Sequence, residues 1–177
     1  TTLDGNVYNT TNFDLPVLSN TYTDGVGEIR FEGNVSTIGE NAFAWSNITS
    51  ITLPESIRTI SNKAFYNCES LAEVELPEGV SYIGSQSFAY CTSITDMTLP
   101  DSLTSIGSNA FYGCNALASI TIGSGLTQVE ENAFNYCNKL RKVYIHDIGA
   151  WLNISFANQS ANPVSSAKNL YVNGSLL

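Results

Sequence analysis

Apolar positions recur along this chain in one fixed order. Between the first two cysteines they read Cys68, Leu71, Val74, Leu76, Val80, Ile83, Phe88 and Cys91, with mostly polar residues between. Cys68, Cys91, Cys114 and Cys137 stand 23 residues apart, each three residues after a Phe. The pair Ala-Phe recurs at Ala42-Phe43, Ala64-Phe65, Ala110-Phe111 and Ala133-Phe134, with Ser87-Phe88 at the remaining place. Leu53-Pro54, Leu76-Pro77 and Leu99-Pro100 keep the same period, and Ile122-Gly123 continues it. Ile38-Gly39, Ile83-Gly84 and Ile106-Gly107 do the same, with Ile60-Ser61 and Val129-Glu130 as variants. The unit reads C-x-x-L-x-x-I-x-L-P-x-x-V-x-x-I-G-x-x-A-F-x-x-C. Self-similarity at a fixed period is the signature of a repeat architecture.

Each part of the unit predicts a piece of a coil. Leu71, Val74 and Leu76 point inward from a short strand, leaving Ala72, Glu73 and Glu75 outside. Pro77 cannot donate to a sheet ladder, so it ends the strand and starts a corner. Val80 and Ile83 point inward from an extended stretch on the opposite wall, and Gly84 permits the next turn. Gln86 to Tyr90 reads as one short helical turn that drives Phe88 into the core, and Cys91 closes the corner. One coil cannot bury its apolar face alone. Stacked coils can, at about 4.8 Å per step, the spacing of neighbouring strands. The prediction is an α/β leucine-rich repeat: a right-handed solenoid with a parallel concave β-sheet, an extended opposite wall and short helical turns. It has about five regular coils and an irregular last one.

The ends depart from the unit. Phe43 to Ile48 is five positions where Phe65 to Leu71 is six, so Ser46 or Trp45 stands near the cysteine corner. Ile29 and Phe31 supply a first strand, with Val35 and Ile38 as its return wall. The last coil runs 27 residues from Leu140 to Ala167, contains Trp151, Ile154, Phe156 and Asn162-Pro163, and leads to a strand at Leu170 and Val172. The expected organisation is one continuous domain: a capping segment over residues 1–24, regular coils over 25–146, and the irregular coil with its terminal strand over 147–177.

The stretch L-P-x-x-V-x-x-I-G-x-x-A-F-x-x-C, seen on positions such as Leu76 to Cys91, resembles the unit of the BspA-like, or Treponema-type, leucine-rich repeat family. Ser19-Asn20-Thr21-Tyr22 with Gly25, Gly27, Ile29, Phe31 and Gly33 looks like the N-terminal segment of such proteins from gut bacteria. Trp151, Ile154, Phe156, Asn162-Pro163 and Leu170-Tyr171-Val172-Asn173-Gly174 resemble their irregular late coil. The resemblance implies a secreted or surface-attached bacterial protein that engages host proteins or other cells. It brings no catalytic motif. A Leu-Tyr-x-Asn-Gly strand is usually followed there by more repeats, so the chain ending at Leu177 is expected to be a fragment. At the other end it starts at Thr1 without a basic-then-apolar leader, so a signal peptide was either removed or never existed.

Composition narrows the function. No apolar run approaches the roughly 18 residues that span a membrane. A net charge of −9 argues against nucleic acid. The charge is uneven: residues 1–138 carry fifteen acidic side chains against Arg30, Arg58 and Lys63, whereas residues 139–177 carry Lys139, Arg141, Lys142 and Lys168 against Asp147. Six Asn-x-Ser/Thr sequons, at Asn9, Asn34, Asn47, Asn153, Asn158 and Asn173, are read as products of an Asn-, Ser- and Thr-rich composition.

The cysteines are the most tempting chemistry. A metal needs thiolates that converge on one ion, but cysteines in identical places on stacked coils form a line. Parallel side chains also hold their Cβ atoms about 4.8 Å apart, outside the roughly 3.5–4.5 Å of a disulfide. A ladder of buried, reduced thiols is expected. His146-Asp147 lacks a nucleophile and reads as a surface or corner pair. The Thr52, Thr98 and Thr121 column is broken by Glu75 and Tyr144, which argues against an ice- or crystal-binding face. No cofactor or metal is expected, and no enzyme.

The outward positions of the concave strands change character along the array. Small, polar and acidic residues give way to Arg141, Lys142, Tyr144, Lys168 and Tyr171, the candidate ligand-binding residues, because Arg and Tyr are enriched at binding hot spots. Covering the irregular last coil is the bland role for the same residues. The functional expectation is a secreted or cell-surface module that binds a protein ligand, such as a host matrix or cell-surface protein, in adhesion. A carbohydrate-binding surface on Tyr144, Tyr171 and Trp151, or a structural spacer in a larger surface protein, are the alternatives. Neither nucleic-acid binding nor membrane insertion is expected.

Overall fold

A computed structural model describes residues 12–23 and 26–177. Residues 1–11, with the Asn9 sequon, and Asp24 and Gly25 lie outside the described residues. Strands and helices are numbered along the chain. The coils stack their strands in parallel on two walls. The back wall is a six-stranded sheet of two-residue strands: β3 (Thr37–Ile38), β5 (Thr59–Ile60), β7 (Tyr82–Ile83), β9 (Ser105–Ile106), β11 (Gln128–Val129) and β13 (Ser155–Phe156). The front wall carries β4 (Ser50–Thr52) paired with β6 (Glu73–Glu75). Beyond them run β8 (Asp96–Thr98), β10 (Ser119–Ile122), β12 (Lys142–Ile145) and β14 (Leu170–Val172).

The inward set follows the sequence pattern. Ile51 pairs with Val74 in register, and Met97, Ile120, Val143 and Leu170 continue the row. On the back wall Ile38, Ile60, Ile83, Ile106 and Val129 are buried in one continuous core. Phe43, Phe65, Phe88, Phe111 and Phe134 form a stack with ring centroids 5.1–5.4 Å apart and planes within 11° of parallel. Phe13 closes the N-terminal end edge-on, 5.8 Å from Phe43.

Three features differ from the sequence expectation. Ile29 and Phe31 do form a strand, β2 (Val26–Phe31), but it pairs antiparallel with β1 (Val17–Thr23) and does not extend the front sheet. The front wall is also split, because no ladder joins β6 to β8 among the described residues. By coil register Glu73 and Asp96 would stand opposite each other there, and like charges across a pair are unfavourable.

The third difference is the segment read as a helical turn. From Lys63 to Cys68 the backbone alternates. Ala64, Tyr66 and Cys68 donate their N–H groups three residues back within the coil, to Ser61, Lys63 and Phe65. Lys63, Phe65 and Asn67 instead donate to Ser85, Ser87 and Ala89 of the next coil, at 2.8–2.9 Å. Left-handed residues at Lys63 (φ 55°) and Asn67 (φ 57°) turn every second peptide outward. The result is a third hydrogen-bonded flank, so these coils are tied to one another on the back and turn flanks, and on the front as well except between β6 and β8. Among the described residues the α-helices are confined to the last coil, where Asp147 caps α1 (Ile148–Leu152) by accepting from Gly149 and Ala150, and α2 (Val164–Ala167) precedes β14.

The thiols sit inside this flank. Cys68, Cys91, Cys114 and Cys137 are free and buried, and each S–H donates to the carbonyl of the Phe in the preceding coil, Phe43, Phe65, Phe88 and Phe111, at 2.9–3.2 Å. Ser46 takes the cysteine's place in the first coil, 3.3 Å from Cys68 Sγ. Burial pushes the Cys137 thiol up to about 12 and the Cys114 thiol well above its usual range. A group whose folded pKa is raised lends stability below its unfolded value, and that stability is lost as pH rises through the folded value. The array should therefore weaken between about pH 9 and about pH 12. Alkylation without reductant should label no cysteine in the native protein at neutral pH and all four in denaturant. Two intact disulfides on mass analysis would defeat this account.

Among the described residues one buried side-chain polar atom has no partner. Ser87 Oγ is fully buried beside Phe88, at the place the other coils give to Ala42, Ala64, Ala110 and Ala133. An unsatisfied buried hydroxyl costs about 1–3 kcal/mol. Ser87→Ala should raise stability by about 1 kcal/mol in a denaturant titration; a loss of stability would mean that the hydroxyl is partnered.

Candidate functional site

The outward face of the front sheet consists of two rows set by strand register. The first runs Asp96, Ser119, Lys142. The second runs Thr98, Thr121, Tyr144, Tyr171. Its end is bordered by a strand that sequence reasoning missed: β15 (Ser175–Leu176) folds back antiparallel on β14 and sets Leu176 beside Tyr171. The turn residues Asn173 (φ 49°) and Gly174 (φ 80°) that make this hairpin were the available signal.

Of the five expected site residues, the structure brings Tyr144 and Tyr171 together, with ring centroids 5.0 Å apart and planes 33° apart. Lys142 is exposed on β12, two positions from Tyr144 and on the same face. Lys168 is also exposed, but it is not on a strand. It ends α2 in the left-handed conformation (φ 61°), two residues before β14. Arg141 turns back onto its own corner, where its Nη1 donates to the carbonyls of Asn138 and Leu140, both at 2.9 Å. Arg58 does the same with Glu55 and Ile57. Among the described residues the only ion pair is Arg30 with Glu28, so Lys142 and Lys168 face solvent as uncompensated cations. Upstream the same face is acidic, with Glu73 and Glu75 exposed, and Asp96 accepting from Thr95 and from Ser119.

A second surface lies on the turn flank, and it too escaped the sequence reading. Trp45, Tyr66, Tyr90, Tyr112 and Tyr136 form one row, with successive centroids 5.1–5.7 Å apart and planes 67–89° apart. The aromatic stands alternately two and one residues after the core Phe, and this zigzag hid the row from a search for identical columns. Trp45, Tyr90 and Tyr136 are exposed, at 68%, 36% and 55%. Tyr66 and Tyr112 are half-buried between them.

Among the described residues no three His, Cys, Asp or Glu side chains converge as a metal site. No helix there is long and apolar enough to cross a membrane.

Residues 21–162 match the model of the BspA type leucine rich repeat region, in six copies. The chain belongs to this family. Among solved structures it is similar to a leucine rich cell surface protein from Faecalibacterium prausnitzii A2-165, at 30% identity and a TM-score of 0.65 over 72% of this chain. The match spans 34% of that protein, so the present chain corresponds to about a third of its length. It is also similar to the leucine rich repeat protein of T. pallidum, at 26% identity and a TM-score of 0.51, over 71% of this chain and 78% of that one. A search of curated proteins finds no match.

Proposed function

We propose that the chain is a non-enzymatic binding module of a secreted or cell-surface bacterial protein, and that it engages a host matrix or cell-surface protein through the C-terminal end of its front sheet. The observation that carries the reading is the Tyr144–Tyr171 pair, flanked by uncompensated Lys142 and Lys168 on a chain of net charge −9. Flat, half-buried aromatics give contact area at low entropic cost, and they rank among the residues that dominate interface energies. Arg141 belongs to this patch through its position and charge, while its hydrogen bonds hold the strand in place. The cell-surface description of the Faecalibacterium relative supports the location.

The charge layout defines the partner. An acidic protein surface would be attracted to the Lys142 and Lys168 end and repelled by Glu73, Glu75 and Asp96. Binding to a panel of purified matrix proteins should favour acidic members and weaken as salt screens the attraction over a Debye length of about 10 Å at 0.1 M. Preference for basic partners, or affinity that does not change with salt, would contradict the proposal.

A further inference from the structure

We propose that the aromatic row on the turn flank is a separate binding platform for a linear, uncharged β-1,4-linked polysaccharide. The first observation is backbone strain placed under large rings. Trp45, Tyr90 and Tyr136 occupy the left-handed region, at φ 64°, 63° and 59°. Bulky residues rarely adopt it, and sites of such strain cluster where function requires them. The equivalent positions of the alternate coils hold Asn67 and Gly113, which adopt it readily. So the fold does not demand an aromatic there. Gly113 also makes room: a Cβ on it would lie 2.9 Å from the Tyr90 ring.

The second observation is spacing. The exposed rings recur on every second coil, an interval of two strand steps or about 10 Å. Tyr66 and Tyr112 stand edge-on between them as spacers. In a β-1,4-linked chain alternate pyranose rings are flipped, so equivalent C–H faces also recur every second sugar, at nearly the same interval and along a straight axis. An apolar C–H face against the negative face of an aromatic ring is a favourable contact. The positions after each core Phe are uncharged (Ala44 and Trp45, Tyr66 and Asn67, Ala89 and Tyr90, Tyr112 and Gly113, Asn135 and Tyr136), which favours a neutral ligand over an ionic one. Asn67 Nδ2 donates to Glu69 Oε1 at 3.2 Å and Asn135 Oδ1 accepts from Tyr136 N at 3.1 Å, so Asn67 Oδ1 and Asn135 Nδ2 are the amide groups offered to sugar hydroxyls.

Cellohexaose is the probe, with maltohexaose, whose α-linked chain curves, as the control. The wild-type protein should bind cellohexaose more tightly than cellotriose and should not bind maltohexaose. Trp45→Asn/Tyr90→Asn/Tyr136→Asn copies the residue already present at Asn67. It should lose at least tenfold in cellohexaose affinity while keeping its melting temperature. Tyr144→Ala/Tyr171→Ala on the front sheet should leave that affinity unchanged, which separates this site from the protein-binding patch. A Trp151→Phe protein leaves Trp45 as its sole tryptophan, and Trp45 emission should shift on cellohexaose addition. The proposal is overturned if cellohexaose fails to bind at millimolar concentration or leaves Trp45 emission unmoved. Equal binding of maltohexaose, or loss of binding in the front-sheet variant, also overturns it. So does sedimentation showing that the row joins two copies of the chain.

Discussion

Phe111→Ala should destabilise the protein by about 3–5 kcal/mol, the range for deleting a buried phenyl ring. The upper part of that range is expected. Phe111 is fully buried between Phe88 and Phe134, at 5.4 and 5.3 Å, with both pairs within 2° of parallel. Its removal strips one face from each neighbour as well as opening a cavity. The cavity has little means of collapse, because its coil is tied to the next on the front, back and turn flanks by separate backbone ladders. Thr98→Ala removes an exposed methyl and hydroxyl and should change stability by less than about 0.5 kcal/mol. For a chain of this size the Phe variant should melt roughly 10 °C lower. Equal losses for the two variants would mean that inside and outside are reversed.

Gly125→Ala should cost about 3 kcal/mol, the heavy end for overpacking a close-packed site. A Cβ on Gly125 would lie 2.0 Å from the Asp101 carbonyl oxygen and 3.3 Å from that of Leu103. Both obstacles are backbone, and neither can step aside. The Asp101 carboxylate also holds the loop in place, accepting from Ser124 N at 2.7 Å and Ser124 Oγ at 3.1 Å. These coils therefore touch backbone to backbone, and any added atom must part them. Gly79→Ala is the informative contrast. The three atoms nearest its Cβ would all belong to the Arg58 guanidinium, the first at 1.9 Å, the far end of a flexible side chain. That variant should lose about 1 kcal/mol, from the displaced corner bonds of Arg58. Chemical denaturation of the two proteins side by side checks the difference, and similar midpoints would contradict it.

The period, the inward rows and the thiol line were legible because each rests on side-chain identity repeated every 23 residues. Where backbone conformation decides, the pattern misled. Ala-Phe-x-x-Cys satisfies a helical spacing as well as it does a string of turns. Asn41, Asn109 and Asn132, all left-handed in the structure, were the clue that favoured turns. The candidate patch was legible as a set of strand positions. The destination of Arg141 was not, because it depends on which corner carbonyls lack partners. Lys168 was displaced from the strand by α2, which belongs to the irregular last coil. The aromatic row was hidden by its one-residue zigzag, although every member is visible in the sequence.

The most direct test of the proposed function compares two double truncations against one acidic protein ligand. Lys142→Ala/Tyr144→Ala removes the free cation and one ring of the aromatic pair, and spares the corner bonds of Arg141. Glu73→Ala/Glu75→Ala removes two exposed carboxylates from the acidic end of the same face. The first variant should weaken binding by about 2 kcal/mol, roughly thirtyfold in Kd, and the second should leave it unchanged or slightly tighter. If the acidic pair proves essential and the Lys142–Tyr144 pair dispensable, the basic, aromatic end only covers the last coil, and the ligand binds elsewhere.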